Sequence, residues 1–181
     1  MKITLIKHGK TDFNLEGRRQ GRKDLPLNDP GKEEVFKLKK RIGKDFKVIL
    51  SSPLLRALET AKILFPDKKI LTNDLLIEYD FGELEGVKFS TPLEEFPNNR
   101  IEEYNGVKFL MPNRGESFKD IVERCKKFTK YLKKNFKEND VIAVVTHSTN
   151  LEIIKALAEG NPWHKYLAQA KNFHGFVEIE I

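Results

Sequence analysis

The sequence predicts an α/β protein: three layers, α/β/α, with a mostly parallel sheet between helices on both faces. Two observations carry this. Short apolar runs rich in β-branched residues (3–6, 48–50, 141–145) alternate with longer stretches whose apolar residues recur at helical spacing. Each run is cut off by Gly9, by Ser51-Ser52-Pro53 or by Thr146-His147-Ser148, and a helical stretch follows; this strand–helix–strand rhythm connects parallel neighbours. No repeat or linker divides the chain, so residues 1–181 read as a single domain.

The elements follow in order. Residues 2–6 form a first strand, which leaves Lys7 and His8 at its carboxyl end, where open α/β sheets build ligand sites. A histidine beside a cation, a glycine and a hydroxyl suits an anion, phosphate above all. Residues 12–30 read as a polar loop with two glycines and two prolines, long enough to carry function. Asn28 or Asp29 caps a helix with Pro30 in its first turn, and Val35, Leu38 and Ile42 give it an apolar stripe. A second strand at 47–50 leads into a helix over 53–64 with Leu54, Leu58 and Ala61 inward. Ile70 and Leu71 form a short third strand, and 75–86 is a loop rich in acidic residues and glycine.

Residues 87–114 contain Pro92, Pro97, Pro112 and the pair Asn98-Asn99, which predict an irregular excursion with one helical turn, a candidate lid. A helix over 117–136 follows, its core stripe formed by Phe118, Ile121, Val122, Cys125, Phe128, Leu132 and Phe136. Residues 141–145 are a buried strand and 149–158 a helix. Asn161 caps a short helix with Pro162 at its first position, and an alternating strand over 173–181 closes the chain at a sheet edge.

Composition limits the partners. A chain of 181 residues, 39% hydrophobic, buries about 70% of its unfolded surface. No apolar run approaches the ~20 residues of a membrane span, and the opening residues read as a strand with a functional end and not as a signal peptide. The single cysteine, Cys125, precludes an internal disulfide and fits a reducing, cytoplasmic setting. The net charge of +6 comes from lysines that alternate with acidic residues along helices, the pattern of a solvated surface. Without a long basic block, a zinc signature or an RNA-binding aromatic pattern, neither nucleic acid nor membrane is an expected partner. A basic balance does help to draw in a small anionic substrate. The chain is expected to act as a monomer or homodimer.

Two strands end in a histidine, His8 and His147. Arg56 opens the helix after the second strand, and Glu78 follows the third. In a doubly wound sheet these ends share one edge, so both histidines, Arg56, Lys7 and Glu78 can reach one crevice. Singly, each has an ordinary structural explanation: a core or capping histidine, a helix-surface arginine, a solvated loop acid. Together they point to an anion-handling site.

These residues resemble the histidine phosphatase superfamily, with its phosphoglycerate mutase-like fold. Lys7-His8-Gly9-Lys10-Thr11 stands at the opening motif, followed by Asn14, Gln20-Gly21 and Asp24-Leu25-Pro26-Leu27. Ser51-Ser52-Pro53-Leu54-Leu55-Arg56-Ala57 with Thr60-Ala61 matches the second arginine motif. The run from Leu76 through Glu78-Tyr79-Asp80-Phe81-Gly82 to Gly86 looks like the acid-donor motif. Gly115-Glu116-Ser117-Phe118 with Arg124, and Val144-Val145-Thr146-His147-Ser148, complete the series.

The resemblance implies a metal-independent phosphatase without a cofactor, acting on a small phosphorylated metabolite. His8 would take the phosphoryl group as a phosphohistidine, its other ring nitrogen donating to a backbone carbonyl. Arg56 would grip phosphoryl oxygens, and protonated His147 would add positive charge. Glu78 would protonate the leaving oxygen and then activate water. Lys7, Thr11, Asn14, Gln20, Gly21 and Ser148 would bind the phosphate. Lys7 replaces the family's arginine and Ser148 its glycine; the first loses a bidentate fork. The short insert after Glu78 favours hydrolysis over mutase chemistry. The motifs are most similar to those of α-ribazole phosphatases and broad phosphomonoesterases, so α-ribazole-5′-phosphate is the leading substrate. The alternatives are a phosphoglycerate mutase, or a phosphate-ester binding module with weakened catalysis. Specificity is expected from the 12–27 loop, Tyr79 and the 87–114 excursion, where Arg100, Tyr104, Lys108 and Arg114 are candidates to meet a substrate carboxylate.

Overall fold

A computed structural model describes residues 1–43, 45–164 and 175–181. In chain order the elements are β1 (Lys2–Lys7), α1 (Asp12–Leu15), α2 (Asp29–Ile42), β2 (Val48–Ser51), α3 (Leu55–Leu64), β3 (Ile70–Thr72), β4 (Arg100–Tyr104), β5 (Val107–Met111), α4 (Phe118–Asn135), β6 (Val141–Thr146), α5 (Ser148–Ala158) and β7 (Phe176–Glu180). The main sheet has the order β3-β2-β6-β1-β7. Its first four strands run parallel and β7 closes the edge antiparallel to β1.

Neighbouring residues of a strand face opposite ways, and here both faces are apolar, as a sheet covered on both sides requires. Ile3, Leu5, Ile142 and Val144 join Ile121, Val122, Cys125, Phe128 and Leu132 of α4 and Leu151 and Ile154 of α5. Ile6, Ile49, Ala143 and Val145 face the other way, onto Val35, Leu38 and Ile42 of α2 and Ala57, Ala61 and Leu64 of α3. The register Ile3↔Ile142 and Leu5↔Val144 keeps these faces aligned. The three-layer architecture is therefore the one the sequence predicts. Cys125 is fully buried within the first cluster, and burial pushes its thiol up to about 12.

Local rules account for the helix ends. The Asn28 side chain accepts from the Gly31 N–H at 2.8 Å, with Pro30 in the first turn of α2. Ser117 and Asp120 form a reciprocal capping box at α4. Among the described residues no helix is long and apolar enough to cross a membrane.

Three expectations need correction. The 12–30 loop contains a helical turn, α1, opened by a capping box between Thr11 and Asn14. Helix α3 starts at Leu55, two residues later than expected, and its fully inward face is Arg56, Ala57, Thr60, Ala61 and Leu64, with Leu58 only half-buried. The 87–114 excursion holds one 3₁₀ turn, Leu93–Glu95, but also the β4–β5 hairpin. Its tip, Asn105-Gly106, has φ of 50° and 77°, the left-handed pair that a tight hairpin turn demands. Phe109 of β5 anchors the hairpin, its ring centroid 4.2 Å from that of Phe118 and 5.7 Å from that of Trp163. The expected short helix after Asn161 and the start of the closing strand fall largely outside the described residues.

Candidate active site

The parallel strands β1, β2 and β6 bring their carboxyl ends to one edge of the sheet, and the turn after β3 is tied to the end of β6 by the bond from the Thr146 hydroxyl to Leu76 O. His8 and His147 meet edge to face with centroids 5.1 Å apart. The His8 N–H donates to Thr146 O at 3.0 Å, tying the two strand ends together. The Gly9 N–H donates to Thr60 Oγ1 at 3.0 Å, which fixes the turn to α3. A Cβ on Gly9 would stand 2.7 Å from Val35 Cγ2 and 2.8 Å from Gly31 O, so the close approach of α2 leaves no room for a side chain here.

The His8 ring has a defined tautomer. Its Nδ1 lies 2.7 Å from Gly9 O, and a carbonyl only accepts, so Nδ1 carries the hydrogen. Arg56 Nε donates to His8 Nε2 at 3.3 Å, so Nε2 presents its lone pair. The bond from Nδ1 to Gly9 O is the backbone-carbonyl contact that the resemblance implies.

Arg56 is fully buried yet held by main-chain oxygens. Nη2 donates to Gly21 O at 2.6 Å and Nη1 to Lys23 O at 2.9 Å. With its amide oxygen turned to the guanidinium, Gln20 accepts from Nε at 2.9 Å and Nη1 at 3.0 Å while its NH₂ donates to Thr11 Oγ1 at 2.6 Å. Burial lowers the Arg56 pKa to about 10, with Glu78, Asp24 and Glu85 opposing, so it remains a cation at neutral pH. The loop is fastened in return: Asp24 Oδ1 accepts from the Leu55 N–H at 2.6 Å and Glu59 Oε2 from the Leu27 N–H at 2.7 Å. Asp24 thus caps α3 from a distance, since Leu54 has no side chain to do so.

Burial pushes the Glu78 carboxyl above the usual carboxylate range, against the Tyr79 N–H, Arg56, the Thr149 side chain and Arg124. Lys7 is pulled down by burial, with Glu78 and Glu34 opposing. His147 is fully buried, with Nε2 2.8 Å from Ser52 Oγ and Nδ1 without a partner among the described residues. Burial, then Arg56 and His8, hold its pKa well below the ordinary value, so the protein alone favours neutral imidazole and not the protonated ring the resemblance implies.

The remaining predicted residues divide by position. Asn14 is exposed, with Oδ1 accepting from the Thr11 N–H and hydroxyl at 3.0 and 3.1 Å, which turns its NH₂ outward. Thr11 is fully buried and its hydroxyl serves Asn14 and Gln20. Gly21 contributes its carbonyl, and Ser148 is half-buried at the first residue of α5. Tyr79 does not line a specificity surface: it is 2% exposed and its hydroxyl donates to Leu110 O at 2.9 Å, which supports the hairpin. Arg100, Tyr104, Lys108 and Arg114 are exposed, and Tyr104 stacks on Trp163 at 5.1 Å. Among the described residues no cluster of His, Cys, Asp and Glu is arranged to hold a metal ion.

Two residues were given no role by the sequence. Arg124 and Asn150 both donate to main-chain oxygens of the turn that carries Glu78. Asn150 had a readable signal, a polar side chain in helical register with Ile153, Ile154 and Leu157 on the apolar face of helix 149–158.

The sequence matches the histidine phosphatase superfamily (branch 1) over residues 3–180. The chain belongs to this superfamily. Among its relatives, adenosylcobalamin/alpha-ribazole phosphatase of Escherichia coli is 29% identical over 171 residues, 91% of this chain and 84% of that protein. Phosphoglycerate mutase-like protein 4 of Arabidopsis thaliana is 30% identical over 167 residues, 87% of this chain and 69% of that protein. The crystal structure of the alpha-ribazole phosphatase from Shigella flexneri superposes with a TM-score of 0.79 at 26% identity, covering 93% of this chain and 84% of that one. The histidine phosphatase fold is thus shared along almost the whole chain.

Proposed function

We propose that this chain hydrolyses small phosphate monoesters through a phosphohistidine on His8, without a metal ion. The observation that carries the reading is the His8 tautomer: Nδ1–H bound to Gly9 O, and Nε2 offering a lone pair beside the buried Arg56 cation. Nε2 attacks phosphorus, and the ester P–O bond breaks. Glu78, its carboxyl pushed by burial above the usual carboxylate range and so towards the acid form, gives its proton to the leaving oxygen. Glu78, now a carboxylate, takes a proton from water as that water attacks the phosphohistidine. His8 is restored and orthophosphate leaves.

Arg56 offers a planar cation to the phosphoryl oxygens, and the Asn14 NH₂ and Lys7 add donors. His147 Nδ1 offers a buried donor to the same oxygens. A dianionic phosphoryl group beside it supplies the opposite charge that favours imidazolium, so substrate binding would protonate the ring. Thr11, Gln20 and Gly21 act through Arg56 and Asn14 in this reading. The 87–114 excursion, hairpin included, serves as a lid over the leaving group.

The leading substrate is α-ribazole-5′-phosphate, which the sequence motifs and the names of two relatives support. Mutase chemistry and phosphate-ester binding without turnover are the competing readings. Hydrolysis of p-nitrophenyl phosphate in excess chelator, wild type against His8→Ala, tests the reading. Turnover that survives chelation and disappears in His8→Ala is expected; undiminished turnover in the variant would refute it. Conversion of 3- to 2-phosphoglycerate faster than phosphate release would favour the mutase. Tight binding without a trapped phosphohistidine would favour the binding module.

A further inference from the structure

The turn that carries Glu78 is held from three directions. Arg124 Nη1 of α4 donates to Leu75 O at 3.0 Å and also to Ile77 O, while Nη2 reaches towards Glu78 O at 3.5 Å. Asn150 Nδ2 of α5 donates to Leu76 O and Ile77 O, both at 2.7 Å. The hydroxyl of Thr146, at the end of β6, donates to Leu76 O at 3.0 Å. Side chains of three elements thus converge on the main-chain oxygens of residues 75–78. With the main chain fixed, the Glu78 carboxylate is aimed by its bond from the Tyr79 N–H at 2.8 Å.

Arg124 is itself clamped. Its Nε and Nη2 donate to the two oxygens of Glu116 at 2.9 and 2.8 Å, a fork-to-fork pair with both side chains largely buried. Glu116 Oε2 also stands 3.5 Å from Arg22 Nη2, which links the pair to the loop that holds Arg56. A buried guanidinium with one edge on a carboxylate and the other on a reactive turn has a single orientation. Lysine, a point charge on a flexible stem, cannot reproduce it.

We propose that Arg124, locked by Glu116, is a positioning residue for Glu78: it fixes the 75–78 turn so that the carboxyl meets the departing oxygen. This rests on the reading of Glu78 as general acid. Misplacing an acid by about an ångström costs rate only where a proton must be delivered. An alkoxide leaving group needs that proton; dinitrophenolate does not. A residue that merely stabilised the fold would affect both equally.

The test measures kcat/KM, which spans the steps through leaving-group departure, for glycerol phosphate and for 2,4-dinitrophenyl phosphate. Glu78→Gln is the reference, its loss on glycerol phosphate exceeding that on the dinitrophenyl ester by on the order of 10²–10⁴. Arg124→Lys is expected to show the same sense of discrimination at about tenfold. Equal losses on the two esters in Arg124→Lys, with discrimination intact in Glu78→Gln, would overturn the positioning role and leave the acid standing. Absence of discrimination in Glu78→Gln would bring down the acid reading and this proposal with it. Should Arg124→Lys fail to give a folded melting profile, Glu116→Gln, which keeps the shape but loosens the clamp, is judged by the same criterion.

Discussion

Gly21 offers a sensitive test of how Arg56 is held. Its φ is +54°, its carbonyl accepts from Arg56 Nη2 at 2.6 Å, and an added Cβ would stand 2.2 Å from Glu85 Oε1. In Gly21→Ala the left-handed backbone costs ~1–2 kcal/mol. Glu85 can swing away, but it then gives up the bond from the Arg22 N–H at 2.6 Å. That bond is exposed and water replaces it, so its loss costs ~1 kcal/mol. A total of ~2–3 kcal/mol lowers the melting temperature of a chain this size by ~4–12 °C. The larger effect is on activity. A shift of ~1 Å at the Gly21 carbonyl re-aims a guanidinium that touches His8, and ~10²-fold in kcat/KM is expected. Thermal melting by circular dichroism and p-nitrophenyl phosphate kinetics measure the two separately. A variant melting several degrees lower, yet within about twofold of wild-type kcat/KM, would show that Arg56 does not depend on this carbonyl.

Two further outcomes follow from burial. The folded-state pKa of Glu78 lies above its ordinary value of 4.5, so its stability contribution is complete below that value and is lost as pH rises through the raised one. The amide that replaces the carboxyl in Glu78→Gln has no proton to lose, so the melting temperature of this variant relative to wild type should climb with pH above about 4.5; a constant difference between about pH 4 and 8 would contradict the upward shift that burial gives Glu78. Phe109 is 6% exposed and joins the hairpin to Phe118 and Trp163. Phe109→Ala should cost ~3–5 kcal/mol in thermal melts and red-shift the emission of Trp163, the only tryptophan; unchanged emission would mean the hairpin stays docked without it.

The sheet was legible because each central strand is a short apolar run with a sharp polar stop, and the stops lie at the edge where the site forms. His8, Arg56, Glu78 and His147 follow from that placement. The β4–β5 hairpin was missed although Asn105-Gly106 is a strong turn signal. Its first strand, Arg-Ile-Glu-Glu-Tyr, is exposed throughout and lacks the alternation that marks a half-buried strand. The hairpin is held instead by Phe109 on distant aromatic rings, which periodicity does not encode. The main-chain partners of Arg56 were illegible for a related reason: the oxygens of Gly21 and Lys23 are carbonyls, which every residue possesses, and only tertiary placement of that loop selects them. The protonation of His147 depends on how completely the core excludes water from it, a property of the assembled fold.

Holding Arg56 by main-chain oxygens has a consequence for how such an enzyme diversifies. The carbonyl of residue 23 is the same whatever side chain follows it, and here that side chain is a lysine. On the function proposed above, the loop can exchange its outward side chains, and with them the molecules it prefers, while the cation beneath keeps its orientation. Preference and phosphate grip would then be written in different parts of the same residues, so that one could drift under selection without eroding the other.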